Sequence, residues 1–166
     1  MNAFVLSAAL VLLGPTALPH DGNRPAPAII TTAAAREALR ATYPKVVWHP
    51  VLRVDIDCDG ADDRIFTGRH AGRFYVAAVL TGRSRMPKIS VTRFLLQGTS
   101  QDSFCGPPSV LAKESMDYYP EDSSAMAPEG FRRSSNCHGL RLEAGECDSF
   151  HFFWNHAANE LDWWRL

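Results

Sequence analysis

The stretch Val51-Leu52-Arg53-Val54-Asp55-Ile56-Asp57-Cys58-Asp59-Gly60-Ala61-Asp62-Asp63-Arg64-Ile65-Phe66 decides the reading of this chain. Apolar and β-branched residues on both sides, Leu52-Arg53-Val54 and Arg64-Ile65-Phe66, have strand character, so the acidic segment joins two strands. Within it Asp recurs at loop positions 1, 3 and 5, glycine stands at 6 and Asp returns at 9. Carboxylates at alternate positions of a tight turn can converge on one point, and Gly60 permits the sharp bend that brings the second half back. A hard cation of calcium's size takes six to eight oxygens at about 2.3–2.6 Å. The candidate ligands are Asp55, Asp57, Asp59, Ala61 through its backbone carbonyl, and Asp63, with Asp62 pointing outward. Without a cation such carboxylates repel one another. At about 4–5 Å and an effective dielectric near 20, each repulsion is worth several kcal/mol. Ca2+ is therefore the expected cofactor, and its binding energy would enter the folding energy.

A helix-loop-helix calcium site needs a bidentate Glu at position 12, where this chain has Phe66. The strand-loop-strand arrangement instead resembles the D-x-D-x-D-G-x-x-D loop of the FG-GAP (VCBS, integrin-alpha-type) repeats, over roughly residues 51–80. That resemblance implies a calcium ion bracing a β-hairpin. The family builds multi-blade propellers, and a single copy of the loop in 166 residues excludes one.

Working outward, Val46-Val47-Trp48 and Val51–Val54 read as strand pieces, and Arg73–Leu80 and Ile89–Leu96 as strands. The separators 68–72 and 81–88 carry the glycines and proline of hairpin connections. N-terminal to these, Thr31 and Thr32 precede AAAREALRA, an N-cap followed by helix formers. Pro44 closes that helix, predicted at 32–42, and its thin apolar side suits a sheet surface. Residues 97–136 are rich in Ser, Gly, Pro and acid, with one strand candidate at 109–113 and a long exposed loop at 116–130. Leu140–Leu142, Asp148–Asn155 and Glu160–Leu166 return to β character, the last two as a hairpin around a turn at 156–159. The fold class expected is mainly β (α+β), an antiparallel sheet with one N-terminal helix and the calcium-type loop between two strands.

At the N-terminus, Phe4–Leu13 is an uncharged apolar run of ten ended by Gly14 and Pro15. As a helix it spans about 15 Å, half a hydrocarbon core, which fits a secretory signal peptide rather than a membrane span. The predicted organisation is a signal peptide at 1–17, a proline-rich disordered lead-in at 18–30 and one β-rich domain at 31–166. The chain is expected to be secreted or periplasmic. Its 17 Lys and Arg against 18 Asp and Glu give no electrostatic case for nucleic acid or an anionic membrane surface.

Cys58, Cys105, Cys137 and Cys147 admit three pairings in an oxidising compartment. The short separation favours Cys137–Cys147, which leaves Cys58–Cys105. Zinc is disfavoured because no C-x-x-C or H-x-x-x-H spacing occurs. At the C-terminus Phe150, Phe152 and Trp154 alternate onto one face, and both faces of the last hairpin carry rings. Sheet core is the default reading of those rings, and a glycan- or peptide-binding surface including Trp163 and Trp164 is the functional one. No nucleophile–base motif is recognisable, so no catalytic residue is assigned. The expectation is an exported, calcium-stabilised, non-catalytic module, monomeric, binding or inhibiting an unidentified protein or glycan. The alternative is a small secreted hydrolase with a structural calcium site and acid–base groups such as Asp117, Glu121 and His138.

Overall fold

The computed structural model describes residues 30–82, 87–108, 110–120 and 127–165. The expected signal peptide and nearly all of the lead-in lie outside these residues. One helix, α1 (Thr32–Thr42), precedes eight strands. β1 (Val47–Val54), β2 (Asp63–His70), β3 (Arg73–Leu80) and β4 (Lys88–Leu95) form one antiparallel sheet in chain order. β5 (Leu111–Met116), β6 (Ser134–Ala144), β7 (Cys147–Asn155) and β8 (Glu160–Trp164) form a second, also in chain order. The mainly β expectation is thus met by two four-stranded meanders rather than one sheet.

The layers follow from side-chain alternation. In β3, Phe74, Val76, Ala78 and Leu80 face the second sheet and belong to one buried cluster with Leu140, Leu142, Phe150, Phe152 and Trp154. Tyr75, Ala77 and Val79 face the other way, into a smaller cluster with Ala35 and Leu39 of α1. Because β3 is covered on both faces, its sequence reads as a near-continuous apolar run. Phe94 is the hub between the sheets, with ring centroids of Phe150 at 4.6 Å and Trp163 at 5.4 Å.

The helix forms where the sequence predicts it. Thr31 Oγ1 accepts from Ala34 N at 3.2 Å, and the helix stops one residue before Tyr43-Pro44. Its two fully buried residues, Ala35 and Leu39, lie on the first sheet. Ile30, expected in the disordered lead-in, packs against this same cluster. The strand pieces on either side of Pro50 are one strand, with a bulge that shifts the register between Pro50 and Leu52.

The segment read as mostly loop holds two strands. β5 begins two residues later than the 109–113 candidate and runs to Met116, and β6 is 11 residues long where only Leu140–Leu142 was legible. The start of β6, Ser134-Ser135-Asn136, is polar and lacks an alternating pattern; Ser134 pairs with Met116 of β5, and the register shifts before His138 pairs with Ser115. Met116 and Pro120, both placed in an exposed loop, are buried.

The disulfides are Cys58–Cys137 and Cys105–Cys147, which corrects the expected pairing of Cys137 with Cys147 and Cys58 with Cys105. Sequence proximity misled because the β1–β2 turn comes to rest beside β6, while Cys147 opens β7 next to the 105–108 segment. Two disulfides fit an oxidising, extracellular-type environment. Among the described residues no helix is long and apolar enough to cross a membrane.

Gly68 pairs with Trp48 across β1 and β2, and the Trp48 ring lies where a side chain would stand. A Cβ there would overlap Val46 Cγ1 and press on the indole. Gly68→Ala should cost about 1–3 kcal/mol through overpacking, read as a lower midpoint in chemical denaturation. Peptide mapping without reductant should recover Cys58 joined to Cys137 and Cys105 joined to Cys147. A Cys137–Cys147 linkage would contradict the packing of the turn on β6.

Candidate metal centre

The turn between β1 and β2 is built from carboxylates that accept backbone N–H groups. Asp55 Oδ1 accepts from Asp59 N at 3.1 Å and its Oδ2 from Gly60 N at 3.0 Å. Asp57 Oδ1 accepts from Asp59 N at 3.2 Å, and Asp59 Oδ1 from Ala61 N at 2.8 Å. These nested Asx turns explain why short acidic side chains are placed two apart. Cys58 and Gly60 take left-handed backbone, at φ 63° and 89°. The Cys58 strain is held by its disulfide, and Gly60 meets no steric cost.

Asp63 closes the ring from the other side. It is buried, its Oδ1 accepts from Thr81 N at 2.8 Å and its Oδ2 from Ile56 N at 3.1 Å. Thr81 Oγ1 donates to Asp62 O at 2.7 Å, so the end of β3 braces the turn. On the opposite flank His138 N donates to Asp55 O at 3.2 Å, one residue from the Cys58–Cys137 bridge. The turn is therefore clamped to both sheets.

Among the described residues, Asp55, Asp57 and Asp63 each offer one carboxylate oxygen within 4.8 Å of the others, a set that can hold a metal ion. Each oxygen has two lone pairs, so accepting one N–H still leaves a direction for a cation. Asp59 is not in this converging set and is exposed, with Oδ1 turned to Ala61 N. Asp62 points outward as expected and lies 3.4 Å from Arg53 Nη2 in an exposed pair. No structural contact distinguishes the Ala61 carbonyl.

The electrostatics show the cost of this concentration of charge. Burial pushes Asp63 up to about 7, opposed by the Thr81 N–H and reinforced by Asp57. Asp57 is pushed up to about 6, by burial first and then by Asp59. Asp55 is raised by burial, with the Gly60 and Asp59 N–H groups acting the other way.

The remaining candidate residues are dispersed. Asp117 is engaged by Arg133 Nε at 2.7 Å, and Glu121 lies outside the described residues. Burial lowers His138, as does Lys113. Trp163 packs into the core against Phe94 and Phe150, whereas Trp164 lies on the opposite face, stacked on His151 at 4.3 Å. The two tryptophans therefore do not form one surface. His151 Nδ1 in turn donates to Glu114 Oε2 at 2.9 Å, a pair that no sequence motif announces because 37 residues separate its members. Thr81 and the β6 clamp were equally invisible, since their contacts with the turn are non-local.

Comparison with protein-family models, curated proteins and solved structures gave no match to this chain.

A carboxyl whose folded-state value lies above its unfolded value binds more protons in the folded state between the two. Its contribution to stability is full below the unfolded value, near 4, and is lost as pH rises through the folded one. In chelator, the melting temperature should thus fall as pH rises through about 6 for Asp57 and about 7 for Asp63. Asp57→Asn should remove the lower part of that fall, measured by thermal melts across pH 4–8 in the acidic-to-neutral range where these groups titrate. A melting temperature that climbs steadily over that interval in the absence of metal would contradict the assigned burial of charge.

Proposed function

We propose that this chain is an exported, calcium-stabilised, non-catalytic module with a binding or inhibitory role. The observation that carries the reading is the convergence of Asp55, Asp57 and Asp63 at the tip of the β1–β2 hairpin. The donors are all oxygens, which selects a hard cation over zinc or copper. Calcium is favoured over magnesium because it accepts irregular oxygen geometry, whereas magnesium demands near-ideal octahedral geometry and holds its waters. Asp59 and the Ala61 carbonyl complete the ligand set that the FG-GAP resemblance implies.

Calcium supplies compensating charge where two carboxyls are otherwise driven towards neutrality. Asp55, Asp57 and Asp63 hold the ion, and the Asp59, Gly60 and Ala61 N–H groups hold the carboxylates in position. The role is structural. The ion locks a turn that is already joined to the second sheet, and so stiffens the whole sandwich. Export fits the two disulfides, and calcium at the concentrations found outside cells suits extracellular sites with affinities of about 10⁻⁴–10⁻³ M.

Thermal melts in chelator, magnesium and calcium test the reading. At ten times its dissociation constant, calcium should add about 1.4 kcal/mol of stability by mass action. Asp57→Asn should abolish that gain and Asp62→Asn should retain it. An identical response to magnesium, or no response at several times about 10⁻³ M calcium, would sink the calcium assignment.

A further inference from the structure

The two sheets are sealed along one edge and open along the other. On the sealed side Thr92 Oγ1 donates to Leu161 O at 3.1 Å and Ser90 Oγ accepts from Leu161 N at 2.8 Å, stitching β4 to β8. Between β1 and β5, among the described residues, no hydrogen bond crosses. There a cleft of about 300 Å³ opens, walled by Val47, His49, Val51, Phe74, Leu111 and Leu142. It adjoins a second cleft of about 520 Å³ over Leu96, Phe104 and the 105–108 segment, and Arg69 and Pro108 line both.

The chemistry of this double cleft is one-sided. Its walls are largely apolar, with His49, Thr67 and Gln97 among the polar side chains, and Val47 and Val51 stand 63% and 41% exposed at its rim. Among the described residues no acidic side chain lines either part, and Arg69 is the one guanidinium or ammonium group in both. Among the described residues Arg69 has no carboxylate partner. Its guanidinium lies over the Phe74 ring, 5.7 Å from the centroid, which supports the plane of the group and leaves its N–H edge for a ligand. The wall is preformed. Cys105 is bonded to Cys147, and Pro107 and Pro108 have fixed φ, so little ordering entropy is lost on binding.

We propose that this cleft binds a small apolar monocarboxylate, with the carboxylate paired on the fork of Arg69 and the hydrocarbon between Val47, Val51, Leu111 and Leu142. Charge complementarity selects the anionic head, because among the described residues the permanent charge lining the cleft is the positive one of Arg69, which has no carboxylate partner there. The size selects a short chain or a single ring, since the first cleft stands at the lower end of the usual range of about 300–1,000 Å³ for ligand sites. The assignment rests on the binding role proposed above, but it uses no residue of the acidic turn, which sits at the other end of β1 and β2.

Octanoate, octanamide and acetate, titrated into isotopically labelled protein in calcium and followed by amide shifts, test this directly. Octanoate should shift Val47, Arg69 and Leu111, and octanamide and acetate should bind at least about tenfold more weakly. Arg69→Gln should weaken octanoate by about tenfold or more without changing octanamide, and Arg69→Lys should recover part of the loss. Arg69 is exposed, so both variants are expected to fold, which the dispersion of their spectra checks. Equal binding of octanoate and octanamide overturns the proposal, as does an Arg69→Gln variant that binds octanoate normally. So do shifts mapping elsewhere, absence of binding up to about 10 mM, or capture of an apolar peptide with a free C-terminus where octanoate fails. Calcium melts on the same samples separate the two readings. Loss of octanoate binding with an intact calcium response rejects the ligand alone, and the reverse result rejects the calcium site alone.

Discussion

The β1–β2 turn joins the two sheets, and it is also where the chain concentrates its negative charge. The Cys58–Cys137 bond and the Asp55 O to His138 N hydrogen bond fix the turn to β6, while Asp63 ties it to Thr81 at the end of β3. The disulfide closes a loop of 79 residues, long enough for the chain-entropy account to give stabilisation of about 4.5 kcal/mol. A turn held this firmly cannot relax its carboxylates apart. Repulsion that an exposed loop would relieve by opening is instead transmitted to both sheets.

The rest of the sandwich is arranged around that fixed end. Phe94 and its neighbouring rings fill the centre, and the Ser90 and Thr92 side chains cap the backbone of Leu161 along one edge. Those bonds satisfy β8 groups that would otherwise be an exposed strand edge. The opposite edge is guarded differently. Pro50 and the bulge beside it deny β1 a regular ladder, so its free edge is a poor template for a further strand.

How much of this was legible from residues alone depended on whether the deciding contact was local. The Asp55–Asp63 turn, the Thr31 cap and the strands Arg73–Leu80 and Asp148–Asn155 carry their signals within ten residues, and the structure has elements at all of them. The disulfide partners, the Thr81 brace and the Glu114–His151 pair depend on which strands meet across the two sheets, and no spacing rule encodes that. The polar start of β6 escaped for a related reason, as it is held by the Ser134–Met116 pair with β5 and by the bridge at Cys137. Trp163 and Trp164 were visible as rings, but only the placement of the second sheet decides that one enters the core and the other stacks on a histidine.

The hydrogen bonds of the turn, taken alone, do not require charge. An asparagine side-chain oxygen accepts the same N–H groups and supports the same Asx turns. Asparagine at 55, 57 or 59 would build this geometry without the buried charge, and the lesser mutual repulsion, that raise Asp55, Asp57 and Asp63. The sequence nevertheless places aspartate at 55, 57, 59, 62 and 63 and asparagine nowhere between them. Asp62 has its own explanation in Arg53. For the others, the charge is a cost to the bare turn and an asset only to a turn that closes on a cation, where each carboxylate strengthens the binding that offsets its burial.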